Sequence, residues 1–355
     1  MESSKLSKLY EKRPDLYQQH CKKYNQKAVL YSLLSTEPPI FYGPRSFGKW
    51  GYGSLDAVFN YLQDQTAYFL QNWWWDMEKS KEVEKLKTLE NQHISQYPKH
   101  KFIHLCNTLR QQEIFQEYGL NAIFSNQNCL LDEKIFRPIP STPKLFDAVY
   151  DARISPYKRH YLAKNIDSIA FIYYYDYIDD LSCYREVLQQ FPHAYLFNDT
   201  LSEKYENLSP PIVNQCLNSC KIGLCLSSVE GAMYASMQYL LSGLPIVSTK
   251  SKGGRDVFFD QEYTLIVEDD PDAVKEGVKE LIRRNISADT IRYKTLEKIR
   301  EHRLSLTSVI QSIYEQEGIQ RNFSVEWDQL FFNKLHKPQT PEYAIKQIEL
   351  AKAQF

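Results

Sequence analysis

Three charged side chains stand at the predicted carboxyl ends of strands in the second half of this 355-residue chain. Arg153 and Lys158 are separated by four residues and follow an apolar run, while Glu230 follows another apolar run and precedes a predicted helix. The backbone amides at a helix start carry the positive end of the helix dipole and favour phosphate groups. Two cations beside such a helix could neutralise a departing diphosphate, and the carboxylate could accept hydrogen bonds from sugar hydroxyls.

A second loop that could approach a phosphate closely contains the paired glycines Gly253 and Gly254, directly after the next predicted strand. Glycine is scarce in this chain, with only 12 residues, and five of them lie between Gly223 and Gly254. Because glycine has no β-carbon, a glycine pair permits a tight loop whose amides come close to a ligand. We therefore predict that this loop lies beside the start of the Glu230 helix and holds a second phosphate.

The elements that would position these residues alternate between apolar, strand-like runs and amphipathic, helix-like stretches. In the first half, strand-like runs cover 28–34, 67–71, 102–106 and 122–125, and helix-like stretches lie near 55–63, 77–96 and 109–118. In the second half, strand-like runs cover 146–150, 169–174, 194–197, 222–226, 244–248 and 264–267, with a helix candidate in each gap. The alternation predicts an α/β protein with two Rossmann-like, doubly wound parallel sheets, followed by C-terminal helices.

The proline-rich segment 137–143 between the two series is the predicted domain linker. We expect an N-terminal acceptor-side domain over 1–143 and a C-terminal nucleotide-sugar-binding domain over 144–330. A helical tail over 331–355 would pack back on the first domain. Ligands of parallel sheets bind beyond the carboxyl ends of the strands, so the cleft between the domains is the expected active site.

The second half resembles the nucleotide-sugar-binding domain of a GT-B glycosyltransferase, specifically the retaining glycosyltransferase family 4. Over about 146–280, the chain carries the motifs of that family in their usual order. The motifs are an Arg-x4-Lys turn, a glutamate at the helix start with Gly-Leu-Pro after the helix, and a Gly-Gly loop. Here they are Arg153 with Lys158, Glu230-Gly231 with Gly243-Leu244-Pro245, and Gly253-Gly254.

The resemblance implies sugar transfer from a nucleotide sugar to a hydroxyl acceptor, a glycan or glycolipid, with retention of anomeric configuration. It implies that the nucleotide sugar is a substrate and that neither a cofactor nor a metal is bound. The implied catalytic residues are Glu230, Lys158, Arg153 and His104. The implied donor-binding residues are Arg153, Lys158, Glu230, Gly231, Ala232, Gln238, Gly253 and Gly254. Since Lys158 would contact the diphosphate, we expect Lys158→Ala to reduce turnover far more than stability.

The first half resembles the family less. Its glycine-rich segment with Gly48, Gly51 and Gly53 is a candidate loop facing the cleft, and an ordinary surface loop is the alternative. His104 follows an apolar strand and is either the histidine that contacts the donor sugar or a histidine packed in the core. The tryptophans 73–75 could contact an acceptor or belong to the core.

Two positions differ from the family pattern. The second glutamate of the family is Gln238 here, which can still hydrogen-bond a diol without charge, and a usual glycine is Met233. These differences keep open a non-catalytic relative that binds a nucleotide sugar or a glycan. A dinucleotide oxidoreductase is a third interpretation, because Gly51-x-Gly53 partly matches its fingerprint, although the third glycine is missing.

Composition narrows the class of partners. A formal net charge of -1 gives no overall field to attract nucleic acid, and 43% hydrophobic residues argue against disorder. No apolar run reaches the roughly 18 residues of a membrane span. We expect a cytoplasmic protein that can contact a membrane peripherally. The acidic clusters 176–180 and 269–272 could suggest a metal, but both stand at predicted helix starts, where capping explains them.

Overall fold

The computed structural model describes residues 29–45, 55–175, 181–199, 205, 207–331, 333–335 and 338–353. The first domain contains a five-stranded sheet in the order β2-β3-β4-β5-β6. Its strands are β2 (Ser32–Thr36), β3 (Pro39–Arg45), β4 (Ala67–Trp73), β5 (His100–Cys106) and β6 (Ala122–Phe124). Only the β2–β3 pair is antiparallel among these strands. Helices α1 (Asp56–Tyr61), α2 (Ser80–Gln96) and α3 (Leu109–Glu117) connect the parallel strands.

The second domain contains a six-stranded sheet in the order β12-β11-β10-β7-β8-β9, and its neighbouring strands are all parallel. Its strands are β7 (Phe146–Arg153), β8 (Ile169–Tyr174), β9 (Tyr195–Leu196), β10 (Cys220–Cys225), β11 (Ile246–Thr249) and β12 (Thr264–Val267). Its helices are α4 (Leu181–Gln190), α5 (Pro210–Asn218), α6 (Tyr234–Leu241) and α7 (Pro271–Arg284). The central strands read as nearly unbroken apolar runs because helices cover both faces of the sheet.

The C-terminal part crosses from the second domain to the first. Helix α8 (Ala288–Gln316) and helix α9 (Phe323–Leu330) are followed by a short 3₁₀ turn at Asn333–Leu335. Strand β13 (Pro338–Gln339) then pairs antiparallel with β1 (Val29–Leu30), and the chain ends in helix α10 (Pro341–Lys352). Ala344 and Ile348 of α10 are fully buried in an apolar cluster with Phe41 and Phe59 of the first domain.

Strand β3 is one of the elements that the sequence pattern did not predict; helix α9 and strand β13 are others. The first residue of β3 is Pro39, and Pro44 stands near its end, so the segment reads as a turn. Ile40 and Tyr42 are nevertheless fully buried, and the strand pairs in parallel with β4 from Ile40 to Arg45. Gly43 therefore lies in a strand opposite Gln71, not in a loop. Gly48, Gly51 and Gly53 lie outside the described residues.

Candidate functional site

A cavity of about 390 Å³ opens at the carboxyl ends of β7 and β8 and at the start of α6, facing the first domain. Trp74 and Gln127 of the first domain contribute to its wall. Five of the predicted site residues also line it. They are Arg153, Lys158, Glu230, Ala232 and Gln238. The structure thus brings together two of the three predicted motifs, because parallel strands end at a common edge of the sheet.

Lys158 and Glu230 form a buried ion pair in this cavity, and each residue is only 6% exposed. Lys158 ends a short 3₁₀ helix, and its backbone carbonyl accepts a hydrogen bond of 2.6 Å from the Tyr150 hydroxyl. The next residue, Arg159, has a left-handed backbone with φ of 53°. Its guanidinium donates to the carbonyl of Leu226 at 2.6 Å. These contacts fix the turn that carries Lys158.

The Glu230 loop is held by the Gly-Gly loop. The backbone amide of Glu230 donates to the carbonyl of Lys252 at 2.9 Å, and the amide of Gly254 donates to the carbonyl of Gly231 at 2.7 Å. Gly253 has φ of 90°, and a β-carbon there would stand 1.6 Å from the carbonyl oxygen of Glu230. Only glycine allows this approach. The structure therefore places Gly253 and Gly254 behind Glu230, not in the cavity wall, where they were predicted to bind the donor.

Gly231 and Gly254 also let the two domains approach each other. A β-carbon on Gly231 would lie 2.5 Å from the backbone of Trp74, and one on Gly254 would lie 2.5 Å from the carbonyl of Asn107. The side-chain amide of Asn126 donates to the carbonyl of Gly254 at 2.7 Å. Because a side chain at either position would push the first domain away, these glycines set the width of the cleft.

Arg255 is a structural cation that the sequence reasoning missed. Its side chain is fully buried and donates to the carbonyls of Cys225 at 3.1 Å and Ser227 at 2.7 Å, and to the hydroxyl of Ser248 at 2.8 Å. These groups lie at the carboxyl ends of β10 and β11. A buried charge needs such a full set of partners, so Arg255 ties the strand ends together below the site.

Helix α6 presents an open start to the cavity. Its N-cap residue is Met233, which makes no side-chain hydrogen bond to the first amides of the helix. Those amides and the helix dipole favour an anionic ligand. One turn further along, Gln238 is 8% exposed, and its Oε1 has no hydrogen-bond partner among the described residues. A buried amide oxygen without a partner is costly, and a ligand hydroxyl would satisfy it.

Two charged residues in the cavity wall were not predicted. Asp151 lies in β7, two residues before Arg153, and burial raises the pKa of its carboxyl to about 6 although Lys334 and Lys158 act in the opposite direction. Lys334 enters from the C-terminal turn. Asp151 directly follows the predicted strand-like run 146–150, so its position at the carboxyl end of a strand was a usable signal. No sequence signal marked Lys334, because its place depends on how the tail crosses the cleft.

His104 lies elsewhere. It is fully buried in β5, and its Nε2 stands 2.8 Å from the carboxylate of Glu90 in α2. Its ring packs between Trp73, at 5.7 Å, and Phe115, at 5.3 Å. The side chain is turned toward the helices that cover the sheet, so the structure does not bring His104 to the cavity, where it was predicted to act.

The three consecutive tryptophans take different positions. Trp73 is 1% exposed and belongs to the core, whereas Trp74 is 45% exposed and lines the cavity. Trp75 is 43% exposed, and its ring centroid lies 5.7 Å from that of Tyr157 across the cleft. Consecutive residues leave a strand in different directions, so only part of the motif can face a ligand.

The described part of the chain contains no group of three or more metal-ligating side chains placed to hold a metal ion. Asp270 caps α7 by accepting hydrogen bonds from the amides of Asp272 and Ala273. Asp269 pairs with Arg159 at 2.6 Å. None of the helices in the described ranges is both long enough and apolar enough to span a bilayer.

No model of a protein family matches this sequence, and no curated protein matches it. Solved structures do resemble it. Sucrose-phosphate synthase from Thermosynechococcus elongatus has a TM-score of 0.57 at 11% identity, over 87% of this chain and 80% of that chain. A glycosyltransferase from Rickettsia africae has a TM-score of 0.56 at 12% identity, over 86% and 81%. HepE from Anabaena, solved in complex with UDP-glucose, has a TM-score of 0.53 at 14% identity, over 75% and 76%.

At these identities the likeness concerns the fold. The matches cover 75–87% of this chain, which folds into two α/β domains followed by C-terminal helices. The predicted fold class is therefore confirmed, and the chain has the GT-B fold.

Proposed function

We propose that this protein transfers a sugar from a nucleotide-sugar donor to a hydroxyl group of a glycan or glycolipid, with retention of the anomeric configuration. One observation carries the proposal. A buried lysine–glutamate pair and an uncapped helix start share one cavity between two domains of the GT-B fold. HepE, which has this fold, was solved with UDP-glucose. We place the reaction in the cytoplasm, at a membrane surface when the acceptor is a glycolipid.

The charged cavity residues that the sequence predicted each have a role in this proposal. Arg153, Lys158 and the amides at the start of α6 neutralise the diphosphate, while Glu230 accepts hydrogen bonds from hydroxyls of the donor sugar. When the donor binds, Lys158 exchanges the carboxylate of Glu230 for a phosphate oxygen. The exchange pairs the ammonium with a phosphate oxygen and keeps the carboxylate of Glu230 hydrogen-bonded, because sugar hydroxyls donate to it in place of the ammonium.

The reaction itself requires few groups. The bond between the anomeric carbon and the diphosphate oxygen breaks, and the electron pair leaves with the nucleoside diphosphate. The acceptor oxygen forms the new bond on the same face, and its proton passes to a phosphate oxygen of the leaving group. Positioning and charge neutralisation supply the rate enhancement, so the protein contributes no nucleophile and needs no cofactor or metal. Gln238 would hold the donor through a ribose hydroxyl.

A two-stage screen tests the proposal. Thermal shift with UDP-, GDP-, ADP- and CMP-linked sugars identifies the donor, and release of the nucleotide in the presence of glycan acceptors measures transfer. We expect one donor class to stabilise the protein and to support release. NMR of the product reports the anomeric configuration. Lys250→Ala is the matched control for Lys158→Ala, because Lys250 is exposed and does not line the cavity. Absence of binding by every nucleotide sugar would contradict the proposal.

A non-catalytic binding protein is the second candidate. The observation in its favour is that Lys158 and Glu230 are paired with each other. If this pair stays closed, a nucleotide sugar could bind beside it without being activated. Calorimetry that detects donor binding, together with neither hydrolysis nor transfer across a broad acceptor panel, would support this candidate over the enzyme.

A further inference from the structure

The C-terminal tail places a lysine in the cavity on a strained turn. Lys334 and Leu335 have φ values of 65° and 50°, a left-handed backbone that residues other than glycine rarely adopt. Leu335 is fully buried, and its carbonyl accepts a hydrogen bond of 2.5 Å from the hydroxyl of Ser32 in β2. The first domain and the core therefore hold this turn in place. Strain that packing maintains beside a cavity is a feature of functional segments.

The surroundings of Lys334 suit an anionic ligand. Its Nζ lies 4.7 Å from the centroid of the Tyr234 ring, and Tyr234 is the first residue of α6. A partly desolvated ammonium over an aromatic face is attracted to the ring. Burial lowers the pKa of Lys334, and Asp151 opposes this effect by raising it. The tail thus holds a cation at the helix start where the diphosphate is proposed to bind.

The charges of the cavity wall leave an excess of positive charge. Of the described side chains that line the cavity, the cations are Arg153, Lys158 and Lys334, and the carboxylates are Asp151 and Glu230. Lys158 and Glu230 neutralise each other. Asp151 interacts electrostatically with Lys334, and the uncapped amides of α6 add partial positive charge. Such a wall favours an anionic ligand.

We propose that Lys334 is a further donor-binding residue and contacts the phosphate groups of the nucleotide sugar at the start of α6. The inference rests on the proposed function and deepens it, because it makes the C-terminal tail part of the donor site. Four residues after Lys334, β13 begins and pairs with β1. The pairing of the tail with the first domain therefore positions Lys334, one of the proposed phosphate-binding residues.

Isothermal titration calorimetry tests this role. UDP, GDP, ADP, CDP and dTDP are first titrated into the wild-type chain, and the tightest one is compared with its nucleoside in Lys334→Met, Lys334→Arg and Lys346→Met. We expect Lys334→Met to weaken diphosphate binding by about tenfold or more and nucleoside binding by less than about twofold. Lys334→Arg should keep most of the affinity. Lys346→Met is the control, since Lys346 is exposed on α10 of the same tail.

The outcomes separate this inference from the proposed function. An unchanged affinity for the diphosphate in Lys334→Met overturns the role of Lys334 alone. An equal loss for diphosphate and nucleoside does the same, because it indicates packing and not contact with phosphate. If the wild-type chain binds none of the diphosphates, the inference is overturned, whereas the proposed function falls only if every nucleotide sugar of the two-stage screen also fails to bind.

Discussion

Replacing Lys158 by methionine separates two tasks of this lysine, its pairing with Glu230 and its proposed contact with the donor diphosphate. Methionine keeps most of the length and apolar character of the side chain and removes the ammonium. Because Lys158 and Glu230 are each 6% exposed and paired, the substitution leaves a buried carboxylate without its partner. The sequence led us to expect a cost in turnover far larger than the cost in stability, and the buried pair revises that expectation.

The expected magnitudes follow from burial. Removing one partner of a buried ion pair costs about 3–5 kcal/mol. In a chain of this length, that loss lowers the melting temperature by roughly 4–7 °C. Removing a group that stabilises the developing charge of the leaving group reduces kcat by about 10²- to 10³-fold.

A second variant tells the two effects apart. Lys158→Met combined with Glu230→Gln removes both charges, so no unpaired charge stays buried. We expect its melting temperature, measured by calorimetry, to return to within about 3 °C of the wild type. Release of the nucleotide should remain at the low level of Lys158→Met, because neither partner can act on the donor.

Two results would refute this reasoning. An unchanged melting temperature in Lys158→Met would mean that the carboxylate of Glu230 does not depend on Lys158. Wild-type turnover in the double variant would remove both residues from the proposed catalytic set. The expected pattern, with stability restored and turnover lost, distinguishes a functional pair from one that only supports the fold.

Three further predictions concern the site and its supports. Gly253→Ala should cost on the order of 3 kcal/mol in urea denaturation, because the β-carbon would meet the carbonyl oxygen of Glu230 at 1.6 Å. Gly318→Ala is the control, with φ of 71° and no atom within 4 Å, and should cost about 1 kcal/mol. His160→Phe should stabilise the protein, and more at pH 5 than at pH 7.5. Both ring nitrogens of His160 lack partners among the described residues, and burial lowers its pKa to about 3. Below pH 6.5 the unfolded chain therefore binds a proton that the folded wild type does not bind, and this lowers the stability of the wild type but not of His160→Phe. Asp151→Asn should remove a contribution that lowers the stability of the wild type as the pH rises from 4 to 6, because burial raises the pKa of Asp151 to about 6. Equal slopes of stability against pH in the two proteins would contradict this.

Local sequence patterns were sufficient to predict most of the strands and helices. Strands β8 and β12 lie within the predicted bounds, because an apolar run between turn signals is a local property of the chain. Strand β3 was missed for an equally local reason, since its prolines favour a turn and only pairing with β2 and β4 outweighs that preference.

The site divides in the same way. Strand order alone predicted that Arg153, Lys158 and Glu230 meet in one place, because parallel strands end at a common edge and each of these residues closes or follows such a strand. Gln238 was assigned to the same place only through the resemblance to the family, and it lines the cavity as well. Three-dimensional packing was needed to show that Gly253 and Gly254 lie behind Glu230 and not in the cavity wall, and to show on which side of its sheet His104 is buried.

The position of Lys334 in the cavity also depends on three-dimensional packing, because Lys334 lies 181 residues after Arg153 in the chain and yet lines the same cavity. Such contacts depend on how two domains and a crossing tail pack together. Packing joins residues that no local pattern connects, so the sequence alone could place the strand ends but not their distant partners.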